Sequence, residues 1–343
     1  MRVATIAGAG LQRGLEYGGS HAQEIADAAT ALKIHLASSG HPPGAIAQRL
    51  ATSQLPVVAA DLTPDLWAEV TAIAGGSRVS LDDLLLLTFL DEVWGLTRAP
   101  GCSVVARIVP GRRGEPPVPP TTELGQTMDL PAWTAGRTLA LRVGMQDAPN
   151  ALVLAYPGSM GLCGANEAGV GVAVNALTRA PTRDDGLGVA FVTRHLLTMS
   201  TLAEAEVFLT SVPHAAGQAY TVAAPDGLAS FEADASGVRR VTSPGVETIA
   251  HTNHSLAAEP DDQRRAPSES SAARLEILAR GLDQRSPFAD LLTGEVTVDG
   301  SRWGDSHLTF GAFRAVGSEP VVRFIDGAEL RRGRTEWARF AFH

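Results

Sequence analysis

Lysine, cysteine and long apolar runs are scarce in this chain, and each scarcity removes a class of protein. Lys33 is the only lysine among 343 residues and the formal net charge is −9, so neither a basic face nor nucleic-acid binding is expected. The longest apolar runs are too short to span a membrane, and residues 1–14 lack the apolar core of a signal peptide. Two cysteines cannot form a disulfide framework, so we expect free thiols and a cytoplasmic location.

Apolar residues are plentiful, and the pattern they follow changes near residue 100. They make up 45% of the chain, enough for a sizeable core, and 35 glycines with 21 prolines predict many turns. Residues 1 to about 95 are predicted to be helical, whereas short strands follow Pro100-Gly101. Gly75-Gly76 is predicted to end the third helix. The predicted helices span 21–37, 43–55, 63–74, 81–93, 187–199, 201–211 and 268–279, and the predicted strands span 103–109, 138–143, 151–156, 160–163, 169–176, 218–224, 227–232 and 238–241, with a last pair within 308–325.

Cys102 follows a glycine at this change of pattern, and it has two interpretations. A lone cysteine is most often a small buried hydrophobe. Gly101, however, permits backbone geometries that other residues reach only with strain, and it leaves its own carbonyl sterically open. The Cys102 thiol could attack that carbonyl to form a thioester, which water would cleave. The new chain would begin with Cys102, whose α-amino group titrates at about pH 8 and could accept the thiol proton.

Four motifs occur in one order along the chain: Gly101-Cys102, Gly125-Gln126-Thr127-Met128-Asp129, the glycine-rich segment 164–177 and His251-Thr252-Asn253-His254. Together they resemble the acyl-coenzyme A:6-aminopenicillanic acid acyltransferase family of cysteine N-terminal-nucleophile (Ntn) hydrolases. The resemblance implies an α+β fold, an αββα four-layer sandwich of two antiparallel sheets with a helical N-terminal segment. It also implies that residues 1–101 are a pro-region, that 102–343 are the catalytic segment, and that the two stay associated after a cut between Gly101 and Cys102.

The resemblance assigns roles to four residues. Cys102 matches the nucleophile and new N-terminus, and Asp129 matches the carboxylate that orients the freed amine. Asn253 matches the amide donor of the oxyanion hole, and Asn175 is expected to contribute to the same hole. Without the family, Asp129 would be a turn or strand-end residue, Asn253 a loop residue and Asn175 a strand-end residue.

Other candidates are weaker. The family has a Ser-Arg pair near its C-terminus, and this chain offers Ser301-Arg302 or Ser306-His307, so Arg302 and Ser306 are both candidate substrate-binding residues. Cys163 is predicted to be a buried core thiol and His195 an ordinary helix residue. His251 and His254 could form a metal pair, but no third ligand cluster accompanies them, so no metal is expected.

The function that follows is a self-cleaving hydrolase. It would cut an acyl amide of a small molecule through a Cys102 thioester, with water as the acceptor. One alternative is an acyltransferase that passes the acyl group from an acyl amide or acyl thioester to a small amine. An alternative of another class is an unprocessed, inactive binding protein. No cofactor is needed, because nucleophile, base and oxyanion hole are all protein groups, and the oligomeric state stays open, with a homo-oligomer among the options.

Overall fold

Two β-sheets lie face to face at the centre of the protein, in a computed structural model that describes residues 1–94, 101–111, 119–177, 180–257, 268–298 and 307–343. The eight-stranded sheet contains, in spatial order, β1 (Arg2–Ala7), β4 (Leu139–Gly144), β5 (Ala151–Ala155), β6 (Cys163–Asn166), β7 (Gly171–Ala176), β8 (Gln218–Ala224), β9 (Gly227–Asp234) and β10 (Gly237–Arg240). The six-stranded sheet contains β11 (Thr248–His251), β2 (Cys102–Val109), β3 (Thr121–Pro131), β12 (His307–Val316), β13 (Val321–Asp326) and β14 (Ala338–Ala341).

Helices cover the outer face of each sheet. They are α1 (Gly10–Ser20), α2 (Ala22–Ser38), α3 (Pro43–Thr52), α4 (Leu55–Leu62), α5 (Pro64–Ser77), α6 (Leu81–Thr88), α7 (Leu90–Trp94), α8 (Val189–Leu196), α9 (Leu202–Ser211), α10 (Glu269–Asp283), α11 (Phe288–Leu291) and α12 (Gly327–Arg331). Helices α8 and α9 contact β7, β8 and β9, whereas α10 contacts β2 and β11 on the other side. The expected αββα four-layer sandwich is therefore confirmed.

The N-terminal segment is not wholly helical, which corrects the prediction for residues 1–95. Arg2–Ala7 forms strand β1, in which Ala4 and Ile6 are buried and their neighbours are exposed. This strand pairs with β4 in parallel, whereas the other strand pairs of the described residues are antiparallel. More than a hundred residues separate β1 from β4, so the chain has room to return in the parallel direction.

Glycines in the N-terminal segment serve helix packing. Helix α5 does not end at Gly75-Gly76, as was expected, but continues to Ser77. A Cβ atom on Gly76 would lie 2.8 Å from the Leu15 carbonyl oxygen, and one on Gly18 would lie 2.5 Å from that of Ile73. The α1 and α5 backbones are in contact at these two positions. Any residue larger than glycine at either position would therefore clash with the backbone of the other helix.

Strand β3 is the largest feature that the sequence analysis missed. Its eleven residues lie between β2 and β12 and all but the first are buried. The strand is buried on both faces, so it lacks the alternation that marks a half-exposed strand. Gln126, in one of the four motifs, reaches from β3 to the other sheet, where its side chain accepts a hydrogen bond from the Val174 N–H (3.0 Å) and donates one to the Val174 carbonyl.

The residues before and after Gly101 share one hydrophobic core. Its largest cluster contains Ile25 and Leu87 from the N-terminal segment together with Val104 and Phe191 from the remainder of the chain. The buried Tyr156 hydroxyl donates to the Leu87 carbonyl oxygen (2.7 Å), so a polar contact also joins the two segments. Residues 1–94 therefore pack into the same core as the sandwich.

Candidate active site

Cys102 is the first residue of β2, an inner strand of the six-stranded sheet. It lies opposite Met128 of β3, and only 3% of its surface is exposed. Burial and the nearby Asp129 carboxylate together raise the pKa of the Cys102 thiol to about 12, although the Arg274 guanidinium opposes them. In the uncut chain, therefore, the thiol is protonated at neutral pH.

The Gly101–Cys102 peptide bond is held from both sides. The Gly101 carbonyl oxygen accepts a hydrogen bond from the Asp129 N–H (2.7 Å), and the Cys102 N–H donates one to Asn253 Oδ1 (2.8 Å). Space requires a glycine at position 101, because a Cβ atom there would lie 2.7 Å from Asp129 Oδ2.

Asp129 lies on β3, directly beside the bond that precedes Cys102. Its side chain is fully buried, and Oδ1 accepts a hydrogen bond from the Thr309 hydroxyl (2.7 Å). The Thr309 oxygen in turn accepts a hydrogen bond from the Val298 N–H (2.8 Å). These two bonds fix the orientation of the carboxylate. The structure thus brings Cys102 and Asp129 together, as the motif order predicted.

Asn253 follows strand β11 and contacts Cys102 through its side chain. Besides the bond from Cys102, its Oδ1 accepts one from Arg274 Nη2 (2.9 Å), while Nδ2 donates to the Ala176 carbonyl oxygen (3.1 Å). The amide is buried, and these contacts hold it in one orientation. In the uncut chain the Asn253 oxygen, not its N–H, faces the backbone nitrogen of Cys102.

Arg274 is a buried residue of the site that sequence reasoning missed. From α10, its Nη1 donates to the Cys102 carbonyl oxygen (2.6 Å) and to Ser103 Oγ (2.9 Å). The guanidinium therefore joins Asn253 to the backbone of the candidate nucleophile. The sequence signal was weak: Ser271 and Arg274 lie three residues apart, on one face of the predicted helix 268–279.

A second set of contacts supports the loop that carries Asn253. The Ser271 hydroxyl accepts a hydrogen bond from the Asn253 N–H (2.9 Å). His251 is buried with one ring nitrogen 2.7 Å from the Thr252 carbonyl oxygen and the other 3.0 Å from Glu232 Oε1. Burial would raise the pKa of Glu232, but hydrogen bonds from His251 and other neighbours hold it below its usual value.

The remaining predicted residues make no hydrogen bond to Cys102 in the described part of the chain, or lie outside it. Asn175 is buried on β7 with its Nδ2 3.5 Å from the His251 carbonyl oxygen, and it makes no hydrogen bond to Cys102. Cys163 is a buried thiol of β6, as expected. The His195 ring packs on Phe208, with ring centroids 4.3 Å apart.

The C-terminal candidates cannot be assigned a place. Arg302 and Ser306, like Ser301, lie outside the described residues; so do residues 112–118 of the proline-rich loop. His307, which follows Ser306, is the buried first residue of β12. The described residues contain no group of three or more His, Cys, Asp or Glu arranged to hold a metal ion. None of their helices is both long enough and apolar enough to cross a membrane.

A cavity of about 30 Å³ lies beside Cys102 in the uncut chain. Most of its lining residues are apolar, and β3, β7, α8 and residues 156–162 together supply the larger part, with Met128, Val189 and Met160 among them. Helices α6 and α7 of the N-terminal segment complete it with Leu87, Thr88, Leu90 and Asp91. The segment before Gly101 thus forms part of the wall next to the candidate nucleophile.

Comparison with known proteins places this arrangement in a class and then in a family. A buried cysteine at the start of an inner strand of an αββα sandwich, preceded by glycine, is the arrangement of the cysteine Ntn hydrolases and acyltransferases. Within that class, the sequence profile of the acyl-coenzyme A:6-aminopenicillanic acid acyl-transferase family matches residues 122–293, half of the chain. The protein belongs to this family.

Two solved structures are among those similar to this chain. Conjugated bile acid hydrolase from Clostridium perfringens, solved as a mutant, is 12% identical; the match covers 69% of this chain and 92% of that one, with a TM-score of 0.44. Penicillin V acylase from Agrobacterium tumefaciens is 13% identical; the match covers 65% of this chain and 82% of that one, with a TM-score of 0.36. No curated protein sequence is significantly similar to this chain.

Proposed function

We propose that this protein cuts its own chain between Gly101 and Cys102 and then hydrolyses the acyl amide of a small molecule through a Cys102 thioester. The observation that carries the proposal is the pair of hydrogen bonds across the Gly101–Cys102 bond. One bond polarises the carbonyl that would be attacked, and the other holds the nitrogen that would leave. The first bond also continues the β2–β3 ladder, whereas the second comes from a side chain 151 residues away and is the more specific of the two.

The proposed self-cleavage begins when Cys102 Sγ attacks the Gly101 carbonyl carbon. Negative charge develops on the carbonyl oxygen, where the Asp129 N–H stabilises it. The C–N bond breaks, the thiol proton passes to the departing Cys102 nitrogen, and Gly101 is left as a thioester. Water then hydrolyses the thioester, which gives a carboxylate at Gly101, a free thiol and a free amine at Cys102.

That free amine supplies the base for turnover. A thiol with a pKa of about 12 needs a nearby proton acceptor, and an α-amino group titrates at about pH 8. Asp129 would orient the amine, because its carboxylate already lies beside Gly101. Asn253 and Asn175 are proposed to supply amide N–H groups to the oxyanion of the acyl substrate, which requires the Asn253 side chain to reorient after the cut.

The cavity beside Cys102 is proposed to bind the acyl group. Its mostly apolar wall favours a short carbon chain. We propose water as the acceptor, because transfer would require a second pocket for an amine. The segments 1–101 and 102–343 would stay associated, since they share one core and strand β1 is paired with β4.

The experiment is to compare Cys102→Ala with Cys163→Ala, two changes of a buried thiol. We expect wild type and Cys163→Ala to yield fragments 1–101 and 102–343 by mass spectrometry, and Cys102→Ala to yield one uncut chain. The cut proteins would then be incubated with a panel of acyl amides and acyl thioesters, and the adduct on Cys102 read by mass. An uncut wild type, or fragments from Cys102→Ala, would refute the proposal; acylated amine as the product would replace hydrolysis by transfer.

A further inference from the structure

The cavity beside Cys102 contains one charged residue among its described lining residues, and that residue is acidic. Asp91, on α7, lines the cavity and makes no hydrogen bond or ion pair with any described residue. Its neighbour Glu92 differs, because Glu92 Oε1 accepts a hydrogen bond from the Val189 N–H (2.9 Å). No arginine, lysine or histidine of the described residues lines the cavity to neutralise Asp91.

Three more oxygen atoms of the cavity wall lack a protein partner. They are Thr88 Oγ1, Thr193 Oγ1 and Gln218 Oε1, in side chains that are at most 4% exposed. Buried polar groups in folded proteins are nearly all hydrogen-bonded, so unpaired ones in a cavity wall are expected to meet water or a ligand. These three side chains and Asp91 line the same cavity, and each has an oxygen that can accept a hydrogen bond, while the two threonine hydroxyls can also donate one.

The charge of the Asp91 carboxylate also affects the pKa of the Cys102 thiol. Burial raises the pKa of Asp91 to about 6, so the carboxyl is ionised at neutral pH, and no cation among the described residues is paired with it. The same carboxylate raises the pKa of the Cys102 thiol, which shows that the two groups lie within electrostatic range. A positive charge in the cavity would relieve both effects.

We propose that Asp91, with Thr88 and Thr193, binds a protonated amino group of the substrate. An ammonium group has three donors and no acceptor, which matches an acceptor-rich, negatively charged wall; an uncharged polar group would not need the carboxylate. This inference rests on the proposed Cys102 chemistry, and it names the substrate class: acyl amides that carry a cationic amine near the bond to be cut. Asp91 precedes the cut, so the N-terminal segment supplies a specificity-determining residue.

The test uses pairs of amides that differ only in the amino group. One arm compares ω-aminoacyl p-nitroanilides of two to five methylenes with alkanoyl p-nitroanilides of the same length. The other arm compares alkanoyl amides of diaminoalkanes with those of simple alkylamines, which places the cation on the leaving amine. The cut wild type should prefer the cationic member in one arm by about ten- to a hundred-fold in kcat/KM, as for a charge-assisted hydrogen bond.

Asp91→Asn should remove that preference, so that the ratio of kcat/KM for the cationic and neutral members falls to about one. Glu92→Gln is the matched control, since it changes the adjacent carboxyl but should keep the preference. Equal loss for both members in Asp91→Asn, or no preference in the wild type, would overturn the inference while hydrolysis through Cys102 stands.

If Cys102 does not hydrolyse amides, the kinetic test cannot be carried out. A binding measurement then tests the proposed Asp91 site by itself. Calorimetry of uncut Cys102→Ala with the same cationic and neutral amides requires no turnover. Tighter binding of the cationic member that disappears in Cys102→Ala/Asp91→Asn would support the site even if no amide is cut. Equal binding of the two members would refute it.

Discussion

A buried ion-pair network ties the N-terminal segment to the rest of the chain, and Glu69 is its centre. The Glu69 carboxylate on α5 accepts hydrogen bonds from Arg13 Nε of α1 (2.6 Å) and from both Arg194 Nη atoms of α8 (3.0 and 3.1 Å). Side chains of Glu69 and Arg194 are fully buried, and that of Arg13 is 1% exposed. The network therefore connects residues that precede Gly101 with a residue that follows Cys102. It links the two segments that the proposed cut would create.

Glu69→Ala should cost far more than an ordinary ion pair, because it leaves two buried guanidinium groups behind. Arg13 keeps Asp65 Oδ2 (2.6 Å), but Arg194 keeps only the Met160 carbonyl oxygen. Removal of one partner of a buried ion pair typically costs about 3–5 kcal/mol, and the dependence of Arg194 on Glu69 places this case within that range. Glu329→Ala is the control: Glu329 pairs with exposed Arg332, and such pairs contribute about 0–1 kcal/mol.

The assay is urea unfolding in the uncut Cys102→Ala background, so that cleavage does not change the species measured. In the cut protein, Glu69→Ala should also weaken the association of fragments 1–101 and 102–343, detected by size-exclusion chromatography in moderate urea. Glu69→Leu/Arg194→Leu should recover part of the loss, because it removes the charge that Glu69→Ala leaves unpaired. A Glu69→Ala loss no larger than that of Glu329→Ala would refute the argument.

Two further predictions concern single polar groups. Asn253→Ala, tested in material cut beforehand or assembled from separately expressed segments, should lower kcat by about a hundred- to a thousand-fold with little change in KM, whereas near-normal kcat would remove Asn253 from the oxyanion hole. Burial raises the pKa of Glu92 from 4.5 to about 8, so its contribution to the free energy of unfolding falls as pH rises between those values. Glu92→Gln should therefore stabilise the fold increasingly from pH 5 to 8, by at most about 5 kcal/mol at about 1.4 kcal/mol per pKa unit; a gain that is the same at both pH values would contradict this.

The resemblance of four ordered motifs to a known family grouped Cys102, Asp129 and Asn253; without it, Asp129 and Asn253 would have been interpreted as strand-end and loop residues. Gly101-Cys102 can be noticed from a few consecutive residues, because it lies where the composition changes. The motifs that contain Asp129 and Asn253 are likewise short runs of consecutive residues. Strand and helix signals were also local: the predicted strand 218–224 matches β8, and the predicted helix 201–211 matches α9, whose N-cap Thr201 forms a capping box with Glu204. Each of these features depends on neighbours in sequence.

The contacts that make a site of these residues were decided by the tertiary structure alone. Asn253 meets the Cys102 N–H across 151 residues, and Arg274 reaches the Cys102 carbonyl across 172. Arg274 was missed because a buried arginine on a helix has the same sequence pattern as a solvated one. Gly101 was interpreted through its backbone freedom, whereas the packed Asp129 carboxylate requires its lack of a side chain. The burial of a side chain and its distance from a remote residue are set only when distant segments of the chain pack together. For that reason no local sequence pattern predicts the cavity wall that contains Asp91.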